Sequence, residues 1–361
     1  MTIQKIERNK NLDILRLVAC LLVVMSHVSS GLTTAIQTHS ATWWIAHIYN
    51  TIGHTGTILF FFLSGCLLLS EEYDFRPRKF YTHNFLKLFV AYYTWIVIYH
   101  LVGFVQRGNW GIRYIKDVII NVIEGEASYH FWYLPMILGI YLILPMLRAI
   151  CHHSRKLAVY FVLLFFFCKV LLGTVLLLDF PYKYLVESVI CRIPFTLVNH
   201  HVGYFVMGHL LYQLWKEQKP RFSIGITVGF IVVGIVGSLA GDLVVMAQTG
   251  TSSVCFNSLF SLTLCITAIG IFGFLLKWPV RIEEKTAAMV NKLSQMTFGI
   301  YMIHPLVLAA VSDIVGSEKV NTIWGIPVVT IVVFLISLMI IWLLSLVPSI
   351  RKWVLFAGRR K

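Results

Sequence analysis

Long apolar runs, broken at intervals by short polar and basic segments, organise this chain from end to end. Several runs exceed the roughly 18 residues needed to cross a bilayer as a helix, and ten candidate spans are read at about 13–33, 53–70, 84–106, 131–150, 158–178, 196–215, 223–246, 254–276, 297–316 and 323–347. The pattern predicts an all-α, polytopic membrane protein forming one membrane-embedded domain over 1–361, with no separate soluble domain. The largest segment outside the runs, about 107–130, reads as a short interfacial helix or part of a substrate mouth. No internal repeat or low-complexity stretch is evident.

Polar residues inside the runs carry the first hint of chemistry. Arg16 and His27 share the first apolar stretch, with ten residues between them. Eleven helical steps of about 100° return to within roughly 20° of the starting direction, so both side chains lie on one face, about 16 Å apart along the axis. Ionisable groups within a membrane span cost free energy and mark functional sites by default. A guanidinium near one surface suits an anionic group, and an imidazole deeper in suits proton transfer. Asp13, on roughly the same face, orients Arg16 or caps the helix start.

Composition agrees with the pattern. Of 361 residues, 58% are hydrophobic and 13% charged, against about a quarter charged in a soluble domain. The formal net charge of +14 invites a nucleic-acid reading, but the placement of the cations argues against it. Lys5, Arg8 and Lys10 at the N-terminus share alternate loops with Arg76, Arg78, Lys79, Arg155, Lys156, Lys216, Lys219, Arg221, Lys277, Arg281, Lys285 and Lys292, and with the basic tail. The opposite loops carry only Arg107, Arg113, Lys116, Lys183, Arg192 and Lys319. This is the positive-inside asymmetry, and with ten spans it places both termini in the cytoplasm. The first span lacks a small-residue cleavage site and is expected to remain as an anchor.

The seven cysteines lie mainly in apolar runs without CxxC spacing, and read as packing residues. The pairs His152-His153 and His200-His201 have no carboxylate at ligand spacing, so no metal is expected. His39, His47 and His54 fall in the expected first outer loop, where solvation accounts for them, although acceptor contact is an alternative. No role is legible for Asp242.

Four segments resemble one known family. Asn11-Leu-Asp13-Ile-Leu-Arg16 through His27, Phe60-Phe-Phe-Leu-Ser64-Gly65-Cys-Leu-Leu, His130-Phe-Trp132-Tyr133-Leu-Pro135 and Phe298-Gly299-Ile-Tyr301-Met-Ile-His304-Pro305 are similar, in order, to motifs of the integral-membrane acyltransferase family 3. The N-terminal third looks most like the bacterial members that O-acetylate surface polysaccharide, enterobacterial common antigen among them. The resemblance implies a multi-pass enzyme of the bacterial inner membrane that moves acetyl from cytoplasmic acetyl-CoA to a glycan hydroxyl on the far side. The glycan is either free polysaccharide or lipid-linked.

It further implies His27 as catalytic base and Arg16 as a coenzyme contact. Members commonly carry Arg-x-x-Arg at the start of the third span to meet the coenzyme; here Asn84 replaces the first and Lys87 the second. His304, beside the helix-breaking Pro305, lines the coenzyme tunnel or braces the fold. Ser64 belongs to the site or permits close helix approach. His130, Trp132 and Tyr133 contact the acceptor or form an interfacial aromatic belt. A transporter of a sugar or acyl donor is the alternative, though such proteins usually show matching halves.

Overall fold

The computed structural model describes residues 10–35, 40–107, 116, 118–122, 128–192, 200–217, 223–277, 283–315 and 322–355. Every regular element among them is helical. His39 and most of the expected interfacial segment 107–130 lie outside the described residues. The principal helices are α1 (Lys10–Ala35), α2 (Ala41–Leu68), α3 (Leu86–Arg107), α4 (Tyr133–Leu142), α5 (Leu144–His153) and α6 (Arg155–Phe165). Then follow α7 (Lys183–Arg192), α8 (Val202–Glu217), α9 (Ile224–Thr249), α10 (Leu262–Lys277), α11 (Glu284–Ser294), α12 (Thr297–Val315), α13 (Thr322–Leu344) and α14 (Pro348–Trp353). The helix begun by α6 continues through a π-helical turn, Phe166–Leu171, into Leu172–Val175.

Seven helices are long and apolar enough to cross a membrane, or eight if the pair α4–α5, bent by 60°, counts as one span. Ten were expected. The difference lies in the middle of the chain, where α8 and α10 each hold only 16 residues. At about 1.5 Å per residue such a helix rises roughly 24 Å, short of a ~30 Å hydrocarbon layer. Part of the apolar run at 254–276 is instead spent on a 3-10 turn, Cys255–Asn257, whose Phe256 is buried.

The opposite deviation occurs in α2. It starts twelve residues earlier than the expected boundary at 53, because Ser40 caps it by accepting from the Trp43 N–H at 3.1 Å. His47, expected as a solvated loop residue, therefore sits on a helix and is fully buried. His54, grouped with that loop although at the edge of the expected span 53–70, is half-buried on the same helix.

Tight helix packing sets the frame around α1 and α2. α1 runs antiparallel to α2, and the Asn50 amide of α2 donates to the Ser26 carbonyl and the Ser30 hydroxyl of α1 at 3.1 and 2.8 Å. α2 and α8 approach backbone to backbone. A Cβ at Gly65 would overlap the Phe205 carbonyl, and one at Gly208 would overlap the Phe62 backbone. Small residues permit such approach between apolar helices.

A saturated polar network ties the Ala41 end of this frame to α9. His47 Nε2 lies 3.0 Å from Asp242 Oδ2, with both side chains fully buried. The Asn257 amide donates to Asn50 Oδ1 at 2.7 Å and to His47 Nδ1 at 3.3 Å. That leaves Nε2–H of a neutral imidazole to donate to the carboxylate. Asp242 Oδ1 accepts from the Phe256 N–H at 3.1 Å and the Ser253 hydroxyl at 3.3 Å. Asp242, which sequence reading left without a role, is thus an anchor between α2, α9 and the 3-10 turn.

Candidate functional site

The site is built around α1. At its Lys10 end, Asn11 donates to the Leu275 and Leu276 carbonyls, at 3.0 and 2.8 Å, satisfying acceptors at the end of α10. Two residues on, Asp13 Oδ1 accepts from the Ser294 hydroxyl at 2.9 Å and lies 4.0 Å from Arg16 Nη1. The carboxylate therefore fixes the α11–α12 junction and orients the guanidinium together. Arg16, a quarter exposed, lines a cavity of about 260 Å3 with Phe60, Ser64, Tyr133, Tyr141 and Tyr301. Ser64 also hydrogen-bonds Tyr133. The cavity wall mixes aromatic rings with the aliphatic Leu88, Leu134 and Ile137, with a cation on one side and hydroxyls among the rest.

Farther along α1, the His27 ring stacks on His304 of α12 at 5.2 Å and meets the edge of Tyr129 at 4.8 Å. His130 joins them, with its ring 5.5 Å from His304. Three imidazoles from three distant stretches of sequence thus converge.

Pro305 explains the setting of His304. Proline lacks the N–H that would bond the carbonyl four residues back, so the Tyr301 carbonyl is released within the helix. His304 Nδ1 takes that place at 2.7 Å. A carbonyl only accepts, so Nδ1 carries the proton and Nε2 presents a lone pair. That Nε2 is buried without a hydrogen-bond partner, as is His130 Nε2.

Tyr301 connects the two parts. It lines the Arg16 cavity, its ring lies 5.7 Å from Tyr133, 5.4 Å from His130 and 5.9 Å from His304, and its hydroxyl donates to the His130 carbonyl. On the far side, Tyr99 donates to the Met302 carbonyl at 2.8 Å, pinning the turn that carries His304.

The structure thus brings Arg16, Ser64 and Tyr133 to one cavity and His27, His130 and His304 to one cluster. Trp132 turns from both and packs its ring 5.1 Å from His201. Lys87 opens α3, whose Leu88 lines the cavity; Lys87 itself is not on its wall. Asn84 instead donates to the Tyr73 hydroxyl at 3.3 Å.

Tyr129, Tyr141 and Tyr301 escaped sequence reasoning, as did Lys169 in the sixth helical stretch. Spacing offered a signal for Tyr301, which precedes His304 by three residues and so shares its helix face. Lys169 offered another, as the sole charge in the run 158–178. Of the adjacent histidines, His152 Nε2–H donates to the Leu69 carbonyl at 2.9 Å. Among the described residues no group of three or more His, Cys, Asp or Glu is placed to hold a metal.

The family model for an acyltransferase domain matches residues 9–344, which takes in every residue of the cavity and the cluster. No curated protein and no solved structure matches the chain.

Proposed function

Because the chain belongs to this acyltransferase family, and its apolar helices make it a multi-pass membrane protein, we propose that it moves acetyl from acetyl-CoA to a glycan hydroxyl. The observation that carries this reading is the placement of Arg16 and His27 along one uninterrupted helix, with Tyr301 linking the Arg16 cavity to the His130 and His304 rings beside His27. Arg16 faces a cavity at one end, and His27 lies about 16 Å farther along α1 in a cluster of imidazoles. An extended pantetheine arm has a comparable length. In this reading the coenzyme phosphates meet Arg16 from the cytoplasmic side, helped by Lys87 at the head of α3. The thioester lies near His27.

The chemistry is then a single acyl transfer. His27 accepts the proton of the acceptor hydroxyl while the oxygen attacks the thioester carbonyl. The C–O bond forms, the C–S bond breaks, and the coenzyme thiolate leaves to be protonated. Tyr129, at the edge of His27, supplies a hydroxyl donor for the developing oxyanion. His304, itself packed against Tyr301, stacks on His27 and holds the ring in place. Both termini lie in the cytoplasm of a bacterial inner membrane, and the acceptor, a surface polysaccharide of the enterobacterial-common-antigen kind or its lipid-linked precursor, arrives from the far side.

Purified protein in proteoliposomes, supplied with labelled acetyl-CoA and extracted glycan, tests this. Label incorporated by the wild type and lost in a folded His27→Ala variant supports the reading. Arg16→Ala is expected to weaken acetyl-CoA binding more than acceptor binding. Glycan movement without acetylation would overturn the reading in favour of a transporter.

A further inference from the structure

A second group of ionisable side chains lies on the other side of Tyr133 from the Arg16 cavity. His201, just before α8, is buried, and neither ring nitrogen has a hydrogen-bond partner. A neutral imidazole always presents one N–H donor and one lone-pair acceptor, so both functions are left open here. Its ring stacks on Phe61 of α2 at 4.9 Å and packs 4.7 Å from Phe260 and 5.1 Å from Trp132. Lys169 Nζ stands 4.5 Å from the centre of the same Phe260 ring. Among the described residues no carboxylate lies within ion-pair distance of it.

Three features distinguish this group from packing. A cation inside an apolar span is costly and is retained where it serves a substrate or an ion. Lys169 sits in the π-helical turn Phe166–Leu171, a distortion that recurs at functional sites. The walls are also partly open, since Trp132 is exposed and Lys169 and Phe260 are half-buried. An aromatic face beside a cation and an imidazole is the chemistry that holds an anionic sugar: the ring meets the apolar sugar face, and the ammonium and N–H meet the charge.

We infer that Lys169 and His201, walled by Phe61, Trp132 and Phe260, bind an oxyanion carried by the acceptor, either the carboxylate of an acidic sugar or a phosphate attached to the glycan. This rests on the acyl-transfer reading, which needs two substrates to meet. Tyr133 stands between the two sites, since it lines the Arg16 cavity and its ring lies 5.0 Å from Phe61 and 6.2 Å from Trp132. The acceptor is thereby held by its charge, with a hydroxyl directed past Tyr133 toward the imidazole cluster.

Calorimetric titration of the detergent-solubilised full chain with methyl glucuronide, glucose 1-phosphate and uncharged methyl glucoside tests the inference without needing turnover. One or both anionic sugars are expected to bind at least tenfold more tightly than methyl glucoside, and the better of the two identifies the source of the charge. Lys169→Met, which keeps the stem over Phe260, is expected to erase that preference, and Lys169→Arg to restore most of it, while acetyl-CoA affinity stays at the wild-type value. His201→Phe is expected to act like Lys169→Met. Equal affinity for charged and neutral sugars, or a preference that survives Lys169→Met, overturns the inference. Acetyl-CoA titrated in parallel against wild type and Arg16→Ala separates the two claims. Failure of that titration, with the charge preference intact, removes the acyl-transfer reading alone.

Discussion

Two buried polar clusters lie against α1 and α2, and they obey opposite rules. Around His47 and Asp242 the hydrogen-bonding side chains are matched. The carboxylate accepts from an imidazole, a backbone N–H and a hydroxyl, and the Asn257 amide joins His47 to Asn50. Around His27 the count does not close, because His130 and His304 each leave a buried Nε2 without a partner. Leaving a buried acceptor unmet costs about 1–3 kcal/mol, and full pairing shows that this chain can satisfy such groups where only the fold is at stake. Matched polar atoms brace the helices, whereas the unmet nitrogens of the imidazole cluster, which lies behind Tyr301 of the cavity wall, are available to a substrate.

The sharpest test of that contrast is to remove one central ionisable side chain from each cluster and compare activity with stability. Loss of His27 in His27→Ala is expected to lower acetyl transfer by about 10²–10⁴-fold, the usual range for a general base, with the thermal unfolding midpoint near wild type. Asp242→Ala is expected to do the reverse. Removing the carboxylate leaves the His47 and Phe256 N–H groups without their acceptor, at about 1–3 kcal/mol for each buried donor left unmet, visible as a lowered unfolding midpoint in detergent, while turnover per folded molecule is preserved. If Asp242→Ala removed activity without loss of stability, the division between the two clusters would fall.

Pro305→Ala probes the open cluster more finely. It restores a backbone N–H able to claim the Tyr301 carbonyl, which competes with His304 Nδ1 and frees the ring to turn. Transfer is expected to fall roughly ten- to a hundredfold, the scale of a small misplacement in a site, with stability equal to or above wild type. Unchanged turnover would show that the tautomer of His304 does not matter to the reaction. The smallest effect is expected from Tyr301→Phe. It deletes only the hydroxyl donated to the His130 carbonyl, worth about 1 kcal/mol, and is measurable as a modest fall in unfolding midpoint with a small change in rate.

Which features could be read in advance follows from how far apart in sequence their parts lie. Arg16 and His27 share one helix, so the 3.6-residue period alone put them on one face at a definite separation. The same local rule linked Pro305 to a freed carbonyl, though not to the imidazole that takes it. His47 was misassigned to a loop because its partner Asp242 is 195 residues away. Read singly, a polar residue near the start of an apolar run looks like a loop residue. Lys169 and His201 were similarly disconnected, and only the packing of both side chains against Phe260 shows them together.

The amino-acid order by itself determined an all-helical membrane chain, its family motifs, and the alignment of Arg16 with His27, because hydropathy and helical periodicity act over a few turns. Tertiary packing decided the number of full-length helices, the meeting of three imidazoles around His304, and which buried polar atoms are matched. Those outcomes depend on contacts between helices distant in sequence, whose register is fixed by close backbone approach such as that at Gly65 and Gly208 and by hydrogen bonds available only after assembly.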